Sequence, residues 1–243
     1  MTEVVRLAMW SGPRNISTAL MRSWENRPDT VVVDEPLYAA YLARTGIDHP
    51  AREEVIASQP TDYVVAVAAL DQPLAPGATV HYAKHMSHHV PDDLELTWTL
   101  RFANVLLVRD PAEVVASYVR SRESCEPADI GLLQQARLFA FWEGHAVAPP
   151  VIEAGDFLRA PEAHLRWLCE WLGIGFTDRM LAWPAGARDT DGVWAPHWYD
   201  AVRASTGFEP WRARQIRLSE HDTAVAEACR PAYDTLHQHR LRL

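Results

Sequence analysis

Residues 4–24 read VVRLAMWSGPRNISTALMRSW. Val4 to Trp10 is an apolar run rich in strand formers, Ser11-Gly12-Pro13 interrupts it, and from Ile16 to Trp24 apolar groups return at helical spacing. The order is strand, loop, helix. The first turn of such a helix leaves backbone N–H groups without intrahelical partners, and those groups form a ready site for an anion. Gly12, Arg14, Ser17 and Thr18 stand at that start, so a phosphate is expected to bind there.

Working outward, the strand signal recurs at Thr30 to Asp34, at Thr79 to Ala83, and at Asn104 to Val108, which ends in Arg109-Asp110-Pro111. Val151 to Ala154 gives a last short strand. Val114 to Arg122, Gly131 to Ala148 and Pro161 to Leu172 have the spacing of helices. Strands alternating with helices imply a parallel sheet covered on both faces. The expected fold is therefore α/β, a doubly wound parallel sheet flanked by helices. From Trp183 to Trp211 regularity gives way to a stretch dense in Trp, Gly, Pro and Asp, read as a lid, before a final helix from Ser219. With no internal repeat and no dividing linker, one domain over residues 1–243 is expected.

Composition narrows the function. The chain has 243 residues, 48% hydrophobic, which is enough for a sizeable core. A formal net charge of −9 disfavours binding to nucleic acid or to an anionic membrane surface, both of which need a basic face. No apolar run approaches the ~20 residues of a membrane span, and the N-terminus has no signal-peptide pattern, so a soluble cytoplasmic protein is expected. Cys125, Cys169 and Cys229 are far apart and lack any CxxC spacing, which predicts reduced, buried thiols.

The first loop is not a Walker A motif, because the required second Gly and the Lys are absent at Ile16 and Ser17. Pro13-Arg14-Asn15-Ile16-Ser17-Thr18 instead resembles the phosphosulfate loop of the sulfotransferases, a P-loop-like family that uses 3'-phosphoadenosine 5'-phosphosulfate (PAPS). A second segment, LLVRDPAEVVASYVRSR at 106–122, is similar to the one that holds the nucleotide 3'-phosphate in that family, through an Arg at the strand end and a Ser eight positions later. Those positions are Arg109 and Ser117 here. The physical reading agrees, since a planar guanidinium suits a phosphate and Ser117 falls about two turns into the following helix. The resemblance implies PAPS as co-substrate, held by Gly12, Pro13, Arg14, Asn15, Ser17, Thr18, Arg109 and Ser117, with no metal.

Tyr82-Ala83-Lys84-His85-Met86 resembles the family's Lys-Thr-His segment but has Met86 where the cytosolic branch carries its catalytic histidine. The base candidates are then the neighbouring His85 and His88, or Glu35 in Val33-Asp34-Glu35-Pro36, where bacterial and tyrosyl-protein branches place a Glu soon after the second strand. Arg14 and Lys84 would stabilise charge on the leaving phosphate. The family's Arg-Lys-Gly loop near the C-terminus has no counterpart in Asp191-Gly192-Val193-Trp194. Trp194 and Trp198 are expected to wall an acceptor pocket, and Trp167 and Trp171, spaced i, i+4, to belong to the core.

These readings imply sulfuryl transfer to a hydroxyl or amine of a small molecule by a bacterial-type member of the family. Two alternatives stay open at this point: a P-loop-type phosphotransferase, and a non-catalytic adenosine-nucleotide-binding protein suggested by Ile16 and Met86. Each key residue also has a plainer reading. Arg14, Ser17 and Thr18 fit an ordinary helix start, Asp110 and Pro111 fit a cap with Pro at the first helical position, and Glu35 fits a carboxylate paired with Arg14. His81, His85, His88 and His89 lack a recognised metal-ligand spacing.

Overall fold

A computed structural model of the chain describes residues 4–120, 124–213 and 215–243. Its elements are β1 (Val5–Ser11), α1 (Ser17–Glu25), β2 (Thr30–Asp34), α2 (Tyr38–Thr45), α3 (Arg52–Ser58), α4 (Tyr63–Ala69), β3 (Val80–Met86), β4 (Ala103–Val108), α5 (Pro111–Tyr118) and α6 (Leu132–Gly144). Toward the C-terminus come β5 (Val151–Glu153), α7 (Ala154–Arg159), α8 (Pro161–Trp171), α9 (Ala195–Trp198), α10 (Asp200–Ala204) and α11 (Glu220–Gln238). The five strands form one parallel sheet in the order β2-β3-β1-β4-β5. The expected α/β fold is the observed one.

The two-residue period of β1 builds both halves of the core. Leu7 and Met9 join Leu20, Met21 and Trp24 of α1 on one face, with Leu165 and Leu168 of α8. Ala8 and Trp10 face the other side, with Val114 of α5, Phe139 and Trp142 of α6, and Cys229 and Leu236 of α11. β1 lies between β3 and β4, so the loop after it opens at the middle of the sheet's C-terminal edge. In open α/β sheets this edge is where ligands bind.

Local signals explain several element ends. Asp110 accepts from Ala112 N–H at 2.9 Å with Pro111 at the first helical position, so α5 starts at 111 and not at 114. α5 ends at Tyr118, and residues 121–122 of the expected helix lie outside the described ones. Ser219 caps α11 by accepting from Asp222 N–H. Among the described residues no helix is long and apolar enough to cross a membrane. The three cysteines are free and buried.

Two tryptophan expectations need correcting. α8 buries His164, Leu165, Leu168 and Cys169; Trp167 packs half-buried against that core as expected, whereas Trp171, stacked on Trp167, is 41% exposed. Trp194 is not a cavity wall: it is 1% exposed and packs in the core against Tyr38.

Candidate active site

The loop after β1 is shaped by close packing. A Cβ on Gly12 would stand 2.1 Å from the carbonyl oxygen of Ile130, so only glycine allows this approach. Asn15 ties the loop to β4 by donating from Nδ2 to the Leu107 carbonyl at 3.1 Å, and its Oδ1 accepts from Ile16 N–H. Gln135 of α6 donates to the carbonyls of Trp10 and Leu107, holding the ends of β1 and β4 together. Arg14 takes a left-handed conformation at φ 55°. Among the described residues no side chain caps the N-terminus of α1, and no acidic residue occupies its first turn, so its N–H groups and positive dipole end favour an anion.

The second motif meets this loop. Arg14 Nε donates to Ser117 Oγ at 3.2 Å, and Arg109 donates to the Arg14 carbonyl at 2.9 Å. Arg109 also pairs with Glu113 at 2.7 Å. Burial, together with the charges of Arg120 and Arg109, pulls the Arg14 guanidinium below its ordinary pKa. A cluster of cations that repel one another at an uncapped helix start is suited to an anion of more than one charge.

A buried charge cluster forms the opposite end. Lys84 of β3 donates from Nζ to Asp34 Oδ1 at 2.8 Å, to Glu35 Oε1 at 2.6 Å and to the Tyr199 hydroxyl at 2.7 Å. Tyr199 in turn donates to Asp34 Oδ2 at 2.7 Å. Glu35, at φ 44°, leaves the extended conformation of β2 and turns into the site. Burial pushes its carboxyl pKa upward, Asp34 adds to this, and Lys84 opposes it. Burial pulls Lys84 down, but the two carboxylates outweigh it and the ammonium is held well above its ordinary value.

Both ends open into one cavity of about 350 Å³, whose walls include Pro13 to Ala19, Arg109, Ser117, Glu35 and Lys84. Tyr38, His88 and His89 line it as well, with Trp198 and Phe208 contributed by the 183–211 segment. That segment covers the cavity but is also anchored: Asp191 is bonded to Arg22, and Gly192 N–H donates to Asp34 at 3.3 Å.

His85 does not line the cavity. It lies on the other face of β3, stacked on Trp10 with ring centroids 4.1 Å apart, and burial lowers its pKa to about 3. His88 lines the cavity, and burial lowers it also to about 3. Among the described residues no group of three His, Cys, Asp or Glu side chains is placed to hold a metal ion. Sequence reasoning nominates neither Asp34 nor Tyr199. Asp34 could have been noticed as the second acid beside Glu35, whereas Tyr199 is 115 residues from Lys84 with no spacing to link them.

Comparison with known proteins shows the family and the fold. Residues 5–239 match the model of a sulfotransferase domain. Two curated proteins of Arabidopsis thaliana, branched-chain-amino-acid aminotransferase-like proteins 1 and 2, are 36% and 35% identical over 98% and 95% of this chain. The chain spans only 43% and 41% of their lengths. Solved structures with a similar fold include the sulfotransferase domain of the curacin biosynthetic pathway, with TM-score 0.53, 18% identity and coverage of 94% of this chain and 98% of that one. Another is a sulfotransferase from Alicyclobacillus acidocaldarius, with TM-score 0.54, 14% identity and coverage of 98% and 97%. A third is a mouse sulfotransferase complexed with PAP, with TM-score 0.52, 9% identity and coverage of 98% and 90%. These likenesses concern the fold, and the match over residues 5–239 establishes that the chain belongs to the sulfotransferase domain family.

Proposed function

We propose that the chain transfers a sulfuryl group from PAPS to a hydroxyl or amine of a small-molecule acceptor. The observation that carries this reading is the junction of the two anion-binding segments: Arg14 bonds to Ser117 and Arg109 bonds to Arg14, across about a hundred residues of sequence. A nucleotide bearing phosphates at both its 5' and 3' positions would use both segments at once.

In this reading PAPS supplies the activated sulfuryl group. The N–H groups of Ser17 and Thr18, with Arg14, hold the 5' side, while Arg109 and Ser117 hold the 3'-phosphate. Arg14 provides fixed positive charge for the negative charge that develops on the departing phosphate, and Lys84, whose three protons are placed on Asp34, Glu35 and Tyr199, adds to it only at longer range. Glu35 accepts the acceptor's proton; its raised pKa, produced mainly by burial, makes it a better base than an exposed glutamate. His88, held to about 3, is a weaker base. The aromatic side chains of Tyr38, Trp198 and Phe208 offer a flat apolar wall to the acceptor.

Calorimetric titration with 3'-phosphoadenosine 5'-phosphate (PAP), with and without Mg²⁺ and beside ATP and adenosine 5'-phosphate, tests the donor site. Binding that requires the 3'-phosphate and is indifferent to the metal is expected. Absence of binding, or a preference for Mg-ATP, would overturn it.

A further inference from the structure

Lys84, Asp34, Glu35 and Tyr199 are all buried, and their hydrogen bonds are unevenly shared. An ammonium has three protons, and Lys84 places them on Asp34, Glu35 and Tyr199. The Tyr199 hydroxyl accepts from Lys84 and from Trp194 Nε1 at 3.2 Å, which leaves one proton of its own to donate. That proton goes to Asp34, because the hydroxyl oxygen lies 2.7 Å from Asp34 Oδ2 as against 3.5 Å from Glu35 Oε1. With Gly192 N–H added, Asp34 accepts from three donors while Glu35 has one short bond.

Charge makes this asymmetry matter. With both carboxylates ionised, two negative charges would share one ammonium in a buried site, which is costly, so one carboxyl tends to take up a proton. The better-solvated of the two carboxylates is Asp34, because the protein itself gives it three donors. Glu35 is the one that faces the cavity, and Asp34 does not line it.

We propose that Asp34 and Tyr199 are positioning residues which, through Lys84, assign the exchangeable proton of this cluster to Glu35. The Trp-rich segment therefore does more than cover the cavity, since Tyr199 reaches from it to complete the cluster. This rests on the reading of Glu35 as the base. Its direction comes from the contacts: the charge of Asp34 raises the affinity of Glu35 for a proton and Lys84 opposes it, while the Tyr199 hydroxyl, 2.7 Å from Asp34 Oδ2 and 3.5 Å from Glu35 Oε1, favours the ionised form of Asp34 over that of Glu35. The other titratable groups beside Lys84 are Tyr82, His88 and His89; burial pushes the Tyr82 hydroxyl up and keeps His88 and His89 neutral throughout the range concerned.

The test is a ¹³C NMR titration of protein labelled at its Glu carboxyl carbons, with the Glu35 signal identified by its loss in Glu35→Gln. Asp34→Asn and Tyr199→Phe are both expected to lower the Glu35 midpoint, the first by removing the neighbouring charge and the second by leaving Asp34 the better competitor for the proton, each by about one unit. A rise of the Glu35 midpoint in either variant, or no shift, would overturn the proposal. If Asp34→Asn does not fold, as judged by near-UV circular dichroism, the near-isosteric Tyr199→Phe decides alone. The titration needs neither nucleotide nor acceptor, so failure of PAP to bind would count against the donor reading and leave this result independent. Where turnover is measured, the acidic limb of the kcat profile should move with the NMR midpoint.

Discussion

The Nε of Arg14 lies 3.2 Å from Oγ of Ser117, so a side chain of the loop after β1 touches one from the second turn of α5. The loop's own carbonyl is meanwhile held by Arg109. The two proposed phosphate sites therefore touch each other, and damage to one should reach the other in proportion to what the ligand asks of each.

Arg109→Ala should weaken PAP binding by roughly ten- to a hundredfold, the loss of one or two hydrogen bonds to a charged group at about 1.5–3 kcal/mol. Adenosine 5'-phosphosulfate lacks the 3'-phosphate and should lose much less, through the loosened Arg14 carbonyl alone. Parallel calorimetric titrations check this, and equal losses for the two ligands would remove Arg109 from the 3' site.

Gly12→Ala should destabilise the protein. Its Cβ would meet a backbone oxygen at 2.1 Å, and since neither partner is a flexible side chain, the loop or the turn at Ile130 must move. Overpacking of this kind costs about 1–3 kcal/mol. For a chain of this length that corresponds to a drop in Tm of about 2–12 °C, readable by thermal denaturation. PAP affinity should fall with it, because the loop that moves carries Arg14.

Stability should decline as pH drops from 7.5 to 5. His85 and His88 are lowered to about 3 and His81 to about 4 by burial, whereas an unfolded chain binds those protons near pH 6.5. The unfolded state thus takes up more protons, and the stabilisation present above pH 6.5 is lost progressively toward pH 3. Glu35 acts in the opposite sense, its raised pKa favouring the folded state at low pH, but it is one group against several imidazoles. His85→Phe should flatten the slope at little cost, since neither ring nitrogen has a hydrogen-bond partner among the described residues and the stack on Trp10 would persist. Denaturation midpoints across this range check it, and an unchanged slope would show that His85 takes up its proton as readily in the folded protein as in the unfolded one.

The fold was legible because its signals are local. The strand read at Thr30 to Asp34 has those same bounds in β2, and the alternation along β1 assigns its side chains to two faces without any knowledge of what covers them. Arg14, Glu35, Lys84, Arg109 and Ser117 could be nominated from loops and strand ends, and all five line one cavity. Tyr199 could not, because its function depends on a side chain 115 residues away and on the path of an irregular segment. Trp194 misled for a related reason: composition marks that segment as special but does not say which of its rings points inward.

Arg14 and Glu35 share a backbone property, φ of 55° and 44° in a chain where few residues other than glycine adopt such angles. Glycine would rest there without the roughly 1 kcal/mol penalty that a side chain incurs in this conformation. A laboratory lineage screened only for resistance to heat should consequently drift toward glycine or asparagine at positions 14 and 35, and one screened for turnover should hold them. The divergence between two such lineages would map where this molecule gives up ruggedness for chemistry.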